Sequence, residues 1–195
     1  MSDQTAVAAP PAFHPEPDGR SRRRWIVFAP LALVVLLDQT TKWWAWRQVP
    51  KVVINRGGDI LVGPVIGRWY AGPVSGALLD LLSITLLSSA AGALLRRRLP
   101  TLVTASAALA IGGWTSNLLD RLGLHAWTVP GTVRGALDFI PLAGYYYNIA
   151  DVFIVVATLL FVLSFGWWLA GRAGDRRARL PARAGTGAPA QPRAA

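Results

Sequence analysis

Four long apolar stretches divide the chain, with polar or glycine-rich segments between them. The first runs from Trp25 to about Trp46 and the second from about Trp69 to Leu95. The third runs from about Leu99 to Leu119 and the fourth from about Tyr147 to Ala170. Each is close to the ~20 residues that an α-helix needs to cross a bilayer. In hydrocarbon a segment must close its own backbone hydrogen bonds, which favours helices over open strands. The pattern therefore predicts an all-α polytopic membrane protein with four transmembrane helices. Between the first two stretches, Val52-Val53-Ile54 precedes Asn55-Arg56-Gly57-Gly58. A β-branched run that ends in turn residues predicts a short strand, and so a small extracytoplasmic β-like element on the membrane surface.

Composition agrees with that class: 53% of the 195 residues are hydrophobic and only 15% are charged. The net charge of +10 is clustered rather than spread. Arg20, Arg22, Arg23 and Arg24 precede the first stretch, and Arg96, Arg97 and Arg98 follow the second. Arg172, Arg176, Arg177, Arg179 and Arg183 follow the last. Four spans bring all three clusters to one side, which the positive-inside rule makes cytoplasmic, together with both termini. The same clustering argues against nucleic acid as a partner. Two longer loops, residues 47–68 and 120–146, then face outward. Trp43, Trp44, Trp46, Trp69 and Tyr145 to Tyr147 fit an outer aromatic belt. Residues 1–24 read as a disordered basic segment, 25–170 as the membrane domain and 171–195 as a disordered basic cytoplasmic tail. The N-terminal segment does not read as a cleavable signal peptide, because its basic region is internal and the apolar run after it is long. With no cysteine and only His14 and His125, neither a thiol nucleophile nor a His- or Cys-built metal site is expected. The chemistry calls for no cofactor.

Carboxylates change the picture most, because an aspartate in or at the edge of a membrane span is expensive and marks a functional site by default. Asn117 precedes Asp120 by three residues at the end of the third stretch, and Asn148 precedes Asp151 by three at the start of the fourth. The topology puts both aspartates near the outer interface. Two close carboxylates in a poorly solvated site share a proton, so one can act as base on water while the other protonates a carbonyl oxygen. Either Asp alone could be a helix-end residue, Asp151 favoured by the helix dipole and Asp120 paired with Arg121. The matched spacing favours function. Asp38 and Lys42 stand four apart in the first stretch and can pair on one helix face. Asp80 lies inside the second stretch with no charge near it in sequence, so it has to be protonated, face the bundle interior or find a partner on another span.

These residues also carry a resemblance. Asp38-Gln39-Thr40-Thr41-Lys42, Gly112-Gly113 through Ser116-Asn117-Leu118-Leu119-Asp120-Arg121, Ala136-Leu137-Asp138-Phe139 and Tyr147-Asn148-Ile149-Ala150-Asp151 stand in the order and spacing of signal peptidase II. The chain resembles that family of four-helix membrane aspartyl proteases over about residues 25–170. The resemblance implies a catalytic dyad of Asp120 and Asp151, with Asn117, Arg121 and Asn148 shaping the site and Asp38 and Lys42 supporting it. Asn55 and Asp138 join as substrate-binding or supporting positions. It implies a monomer in the bacterial cytoplasmic membrane, among membrane lipids. Its substrates would be prolipoproteins carrying a diacylglyceryl-cysteine, cut just before that cysteine. Two departures stand out. Asn55-Arg56-Gly57-Gly58-Asp59-Ile60 keeps only part of the family's Asn-x-Gly-Ala-Ala-Phe stretch, and His125 to Gly131 enlarge the second outer loop. They leave open a divergent relative that binds lipidated peptides without cutting them. A small transporter using Asp38, Asp80, Asp120 and Asp151 as a carboxylate relay is the other alternative.

Overall fold

The computed structural model describes residues 19–56, 65, 67–70 and 72–179. Four long helices make up most of it: α1 (Gly19–Gln48), α2 (Pro73–Arg96), α3 (Thr101–Leu122) and α4 (Ile149–Arg179). Each contains a window long and apolar enough to cross a membrane. Four short strands lie between them, β1 (Val53–Asn55), β2 (Ala136–Asp138), β3 (Ile140–Leu142) and β4 (Tyr145–Tyr147). Asp59, the unusual loop carboxylate, lies outside the described residues.

The bundle is apolar outside, and beside its apolar core of Val27, Leu94, Ala108 and Ile111 it buries many polar groups. Leu78, Leu81, Leu82 and Leu86 of α2 and Val155, Val156, Leu159 and Leu163 of α4 are exposed, whereas Asp38, Lys42, Asn117, Asp120 and Asp151 are buried. That inversion fits helices whose outer solvent is lipid. Half of the apolar window of α3 is buried, against 11% of that of α2, so α3 is the central helix and α2 the peripheral one. Gly112 and Gly113 make this possible. A Cβ on Gly112 would stand 2.9 Å from the Leu31 carbonyl oxygen on α1, and one on Gly113 would stand 2.7 Å from the Ala150 oxygen on α4. Consecutive residues on a helix point about 100° apart, so the two glycines admit two different neighbours at backbone contact. The hydroxyls of Ser83, Thr104, Ser106 and Thr115 donate to carbonyls one turn back, which satisfies them without water.

α3 stops at Gly123, whose φ of 73° closes the helix in a left-handed cap. The Leu124 N–H then bonds the Leu119 carbonyl and the Gly123 N–H the Asp120 carbonyl, the paired bonds of a Schellman motif. This turn sends the chain back over the bundle end. β2 returns antiparallel to β1, with Val53 opposite Asp138 and Asn55 opposite Ala136. β3 and β4 form a hairpin in which Ile140 faces Tyr147. Its two-residue loop, Ala143-Gly144, has positive φ at both positions, as a type I′ turn requires. Tyr145 to Tyr147 are therefore a strand, and the fourth helix starts two residues later than the apolar pattern placed it. It also continues past Ala170, and α1 begins before Trp25, while the second helix starts at Pro73 rather than Trp69.

Candidate active site

The C-terminal ends of α1 and α3 and the N-terminal end of α4 meet beneath β1 and β2, and eleven side chains interlock there. Lys42, fully buried, uses all three ammonium protons: 2.6 Å to Asp38 Oδ2, 2.6 Å to Asp120 Oδ2 and 2.8 Å to Asn117 Oδ1. The spacing that put Asp38 and Lys42 on one face is realised, and Asn117 and Asp120 present a second face to the same cation. The remaining oxygens are also taken. Asp120 Oδ1 accepts from Gln39 Nε2 at 2.9 Å and from the Trp127 indole N–H at 3.0 Å. Asp38 accepts from the Ser116 hydroxyl at 2.7 Å and from the Ala150 backbone N–H at 2.8 Å. Asp38 thus satisfies one of the open N–H groups at the start of α4 and ties α1 to it.

Asn148 and Asp151 share the three-residue spacing of Asn117 and Asp120 but not the geometry. Asn148 Oδ1 accepts the Asp151 N–H at 2.9 Å, and Asp151 Oδ2 accepts the Asn148 N–H at 3.1 Å. This reciprocal pair is a capping box at the N-terminus of α4. The other Asp151 oxygen accepts from Asn117 Nδ2 at 2.9 Å. Asn148 has its own amide left over. Its Nδ2 donates to Asp138 Oδ1 at 2.6 Å and to Asn117 Oδ1 at 3.2 Å. Asn55 Nδ2 reaches the second Asp138 oxygen at 3.1 Å, across the β1–β2 register on the same face of the ribbon. Burial, and next the charge of Asp151, push the Asp138 carboxyl from 3.8 to about 7 against the opposing bonds from Asn55 and Asn148.

The sequence-expected residues therefore fall into three groups. Asp38, Lys42 and Asp120 form a closed ion cluster. Asp138 and Asp151 approach one another around Asn148, with Asn55 and Asn117 as amide donors. Asp120 is joined to Asp151 only by way of Lys42 and Asn117. Arg121 joins neither carboxylate group. Its Nη1 donates to the Arg56 carbonyl at 2.6 Å, and its guanidinium lies over the Tyr70 ring at 4.4 Å, so the anticipated Arg121–Asp120 pair is absent. Asp80 meets Arg134 rather than any of these.

Gln39, Ser116 and Trp127 hold the site without having been singled out. Gln39 was legible in principle, since it sits three residues before Lys42 on the same helix face. Trp127 was not, because only the folded loop carries it under the strands. There it stacks on His125 with ring centres 4.0 Å apart and packs against Ala45 and Leu137. Among the described residues, no group of three or more His, Asp or Glu side chains could hold a metal ion.

No curated protein matches the chain. The family model described as signal peptidase (SPase) II matches residues 31–167, which take in every side chain of this site. With four membrane-length helices and a buried carboxylate site at one end of them, the chain belongs to the signal peptidase II family, membrane proteases that process prolipoproteins.

Proposed function

We propose that Asp138 and Asp151 are the acid–base pair of an aspartic endopeptidase, in place of the Asp120–Asp151 pairing that the repeated spacing predicts. One observation carries this reading: Asn148 bonds both Asp138 and Asp151, while Asp120 is committed to a lysine. Asp120 is held by Lys42, Gln39 and Trp127, which take three of its four lone pairs, and the lysine's charge favours its ionised form. Asp138 and Asp151 have only amide donors against them, and Asp138, raised to about 7, retains a proton near neutrality.

Asp151 takes a proton from water as the oxygen attacks the scissile carbonyl carbon. Asp138 gives its proton to the carbonyl oxygen, which yields a neutral gem-diol. The diol collapses as Asp151 passes its proton to the leaving nitrogen and Asp138 recovers one from a diol hydroxyl. Both carboxyls return to their starting states. Asn55, Asn117 and Asn148 fix the carboxyl planes throughout, and the Asp38–Lys42–Asp120 cluster fixes Asn117.

The substrates of this reading are diacylglyceryl-cysteine prolipoproteins, cut at the outer face of a bacterial cytoplasmic membrane by a monomer with both termini inside. The contact between Arg23 of α1 and the Leu94 carbonyl of α2 supports the orientation, since it gathers two arginine clusters at one end.

The test compares Asp138→Asn with Asp120→Asn on a lipid-modified precursor. Asp138→Asn should abolish cleavage with thermal stability retained, whereas Asp120→Asn should lose stability and keep activity in its folded fraction. The opposite pattern would return the catalytic role to Asp120.

A further inference from the structure

A polar cavity of about 400 Å³, separate from the carboxylate site, opens beside the N-terminal end of α2 and the C-terminal end of α3. Asp138, Asp151, Asn148 and Lys42 do not line it. Arg56, Arg121 and Arg134 do, with Tyr70, and Asp80 lies in its wall. Three guanidinium-bearing residues thus surround one carboxylate.

Asp80 is 94% buried, from a relative exposure of 6%. Its Oδ2 meets Arg134 Nη2 at 3.4 Å, longer than the 2.7–2.9 Å or so of a good charge-assisted bond. Its Oδ1 is buried with no partner among the described residues. A carboxylate two turns inside a membrane helix, half-paired and with one empty acceptor, calls for a donor. The arginines are anchored but not used up. Arg134 Nε donates to the Arg121 carbonyl at 2.8 Å, and Arg121 Nη1 to the Arg56 carbonyl at 2.6 Å. Each guanidinium has five N–H groups, so both keep donors for an anion.

A ligand that satisfies this cavity brings a multivalent anion for the arginines and, a few bonds away, a cation with N–H groups for Asp80 Oδ1. A phosphate alone leaves Asp80 unpaired, and an amine alone leaves the arginines uncompensated. We propose that the cavity binds a phosphoethanolamine group, its phosphate on Arg121 and Arg134 and its ammonium on Asp80. At the ends of membrane-spanning helices the source of that group is a phospholipid headgroup. The proposal is independent of which aspartates cut peptides.

The experiment uses the purified full chain in detergent, offered equimolar phosphatidylethanolamine, phosphatidylcholine and phosphatidylglycerol with identical acyl chains, and native mass spectrometry of the bound lipid. Phosphatidylcholine keeps the phosphate and the positive charge but has no N–H, and phosphatidylglycerol has no cation. Phosphatidylethanolamine should be retained about tenfold over either, the scale of a charge-assisted hydrogen bond. Asp80→Asn should bring its retention down to that of phosphatidylcholine. Arg134→Gln, on a side chain 60% exposed, should lower retention of all three together. Soluble phosphoethanolamine at equal concentration should not displace the lipid; displacement would overturn the membrane source. Equal retention of the three lipids by the parent protein would overturn the site itself, whatever the folding of the variants.

Discussion

Two carboxylate pairs lie within one hydrogen-bonded network and differ in one respect. Asp38 and Asp120 have Lys42 between them, at 2.6 Å from each. Asp138 and Asp151 have Asn148 between them. A buried ammonium offsets one of the first pair's two charges and ties α1 to α3, and removing it would leave two carboxylates uncompensated in low dielectric. An amide can orient the second pair but cannot neutralise it, so the two carboxyls compete for ionisation and a proton stays with them. Proximity of aspartates does not distinguish the two pairs; the nature of the group between them does.

The comparison breaks most severely at the amide-bridged pair. Asp138→Asn and Asp151→Asn should each lower kcat by at least about 10³-fold, roughly 4 kcal/mol of barrier, with the purified variants still folded. The pH profile of the parent enzyme sharpens the point. In the proposed mechanism Asp138 starts protonated, so cleavage should decline as pH rises through about 7, and Asp138→Glu should move that limb. Folding should follow the same sign. The raised carboxyl binds its proton more tightly in the native state than at 3.8 in the unfolded chain, so its contribution is most favourable below about 4 and is lost as pH climbs to about 7. The melting temperature of Asp138→Asn relative to the parent should therefore be higher at pH 8 than at pH 5. A difference independent of pH would place the proton elsewhere.

At the lysine-bridged pair the expected effect is on stability. Lys42→Met leaves two buried carboxylates without their cation and should cost about 3–5 kcal/mol, read as a large fall in melting temperature. An unchanged melting point would show that Lys42 serves chemistry rather than structure.

Gly113→Ala probes how closely α3 must approach α4. The new methyl would meet the Ala150 oxygen at 2.7 Å and Ile154 Cγ1 at 2.8 Å, so the helices must part, at about 1–3 kcal/mol. Asn117 and Asp151 ride on those two helices, and cleavage should fall about tenfold even where folding is rescued by lower temperature. Adding Ile154→Ala removes the Cγ1 contact and should restore part of the loss.

The smallest effect belongs to Trp127→Phe, which deletes one N–H to Asp120 while Gln39 still serves the same oxygen. A loss of about 1 kcal/mol in stability and less than about fivefold in activity is expected. A collapse of activity without loss of stability would make the indole part of the chemistry.

Helix number, their membrane character and the identities of most polar residues at the site were legible along the chain, because apolar runs of fixed length and lone carboxylates within them are local signals. Asp38 with Lys42 was equally local, four residues apart on one helix. The site's division was not. Asn117-to-Asp120 and Asn148-to-Asp151 have the same spacing, but the first lies on a continuous helix face and the second straddles a helix start, where it becomes a capping box. Which carboxylate meets Lys42 depends on α1 and α3 touching through Gly112, and which one meets Asp151 depends on β2 pairing with β1 over the bundle end. Charge balance inside a protein is a property of groups brought within a few ångströms, and here those groups come from positions as far apart as Asp38 and Ala150. The sequence by itself determined which apolar runs form the helices and which carboxylates lie in them or at their ends; only the tertiary structure decided which of these share Lys42 and which is brought beside Asp138.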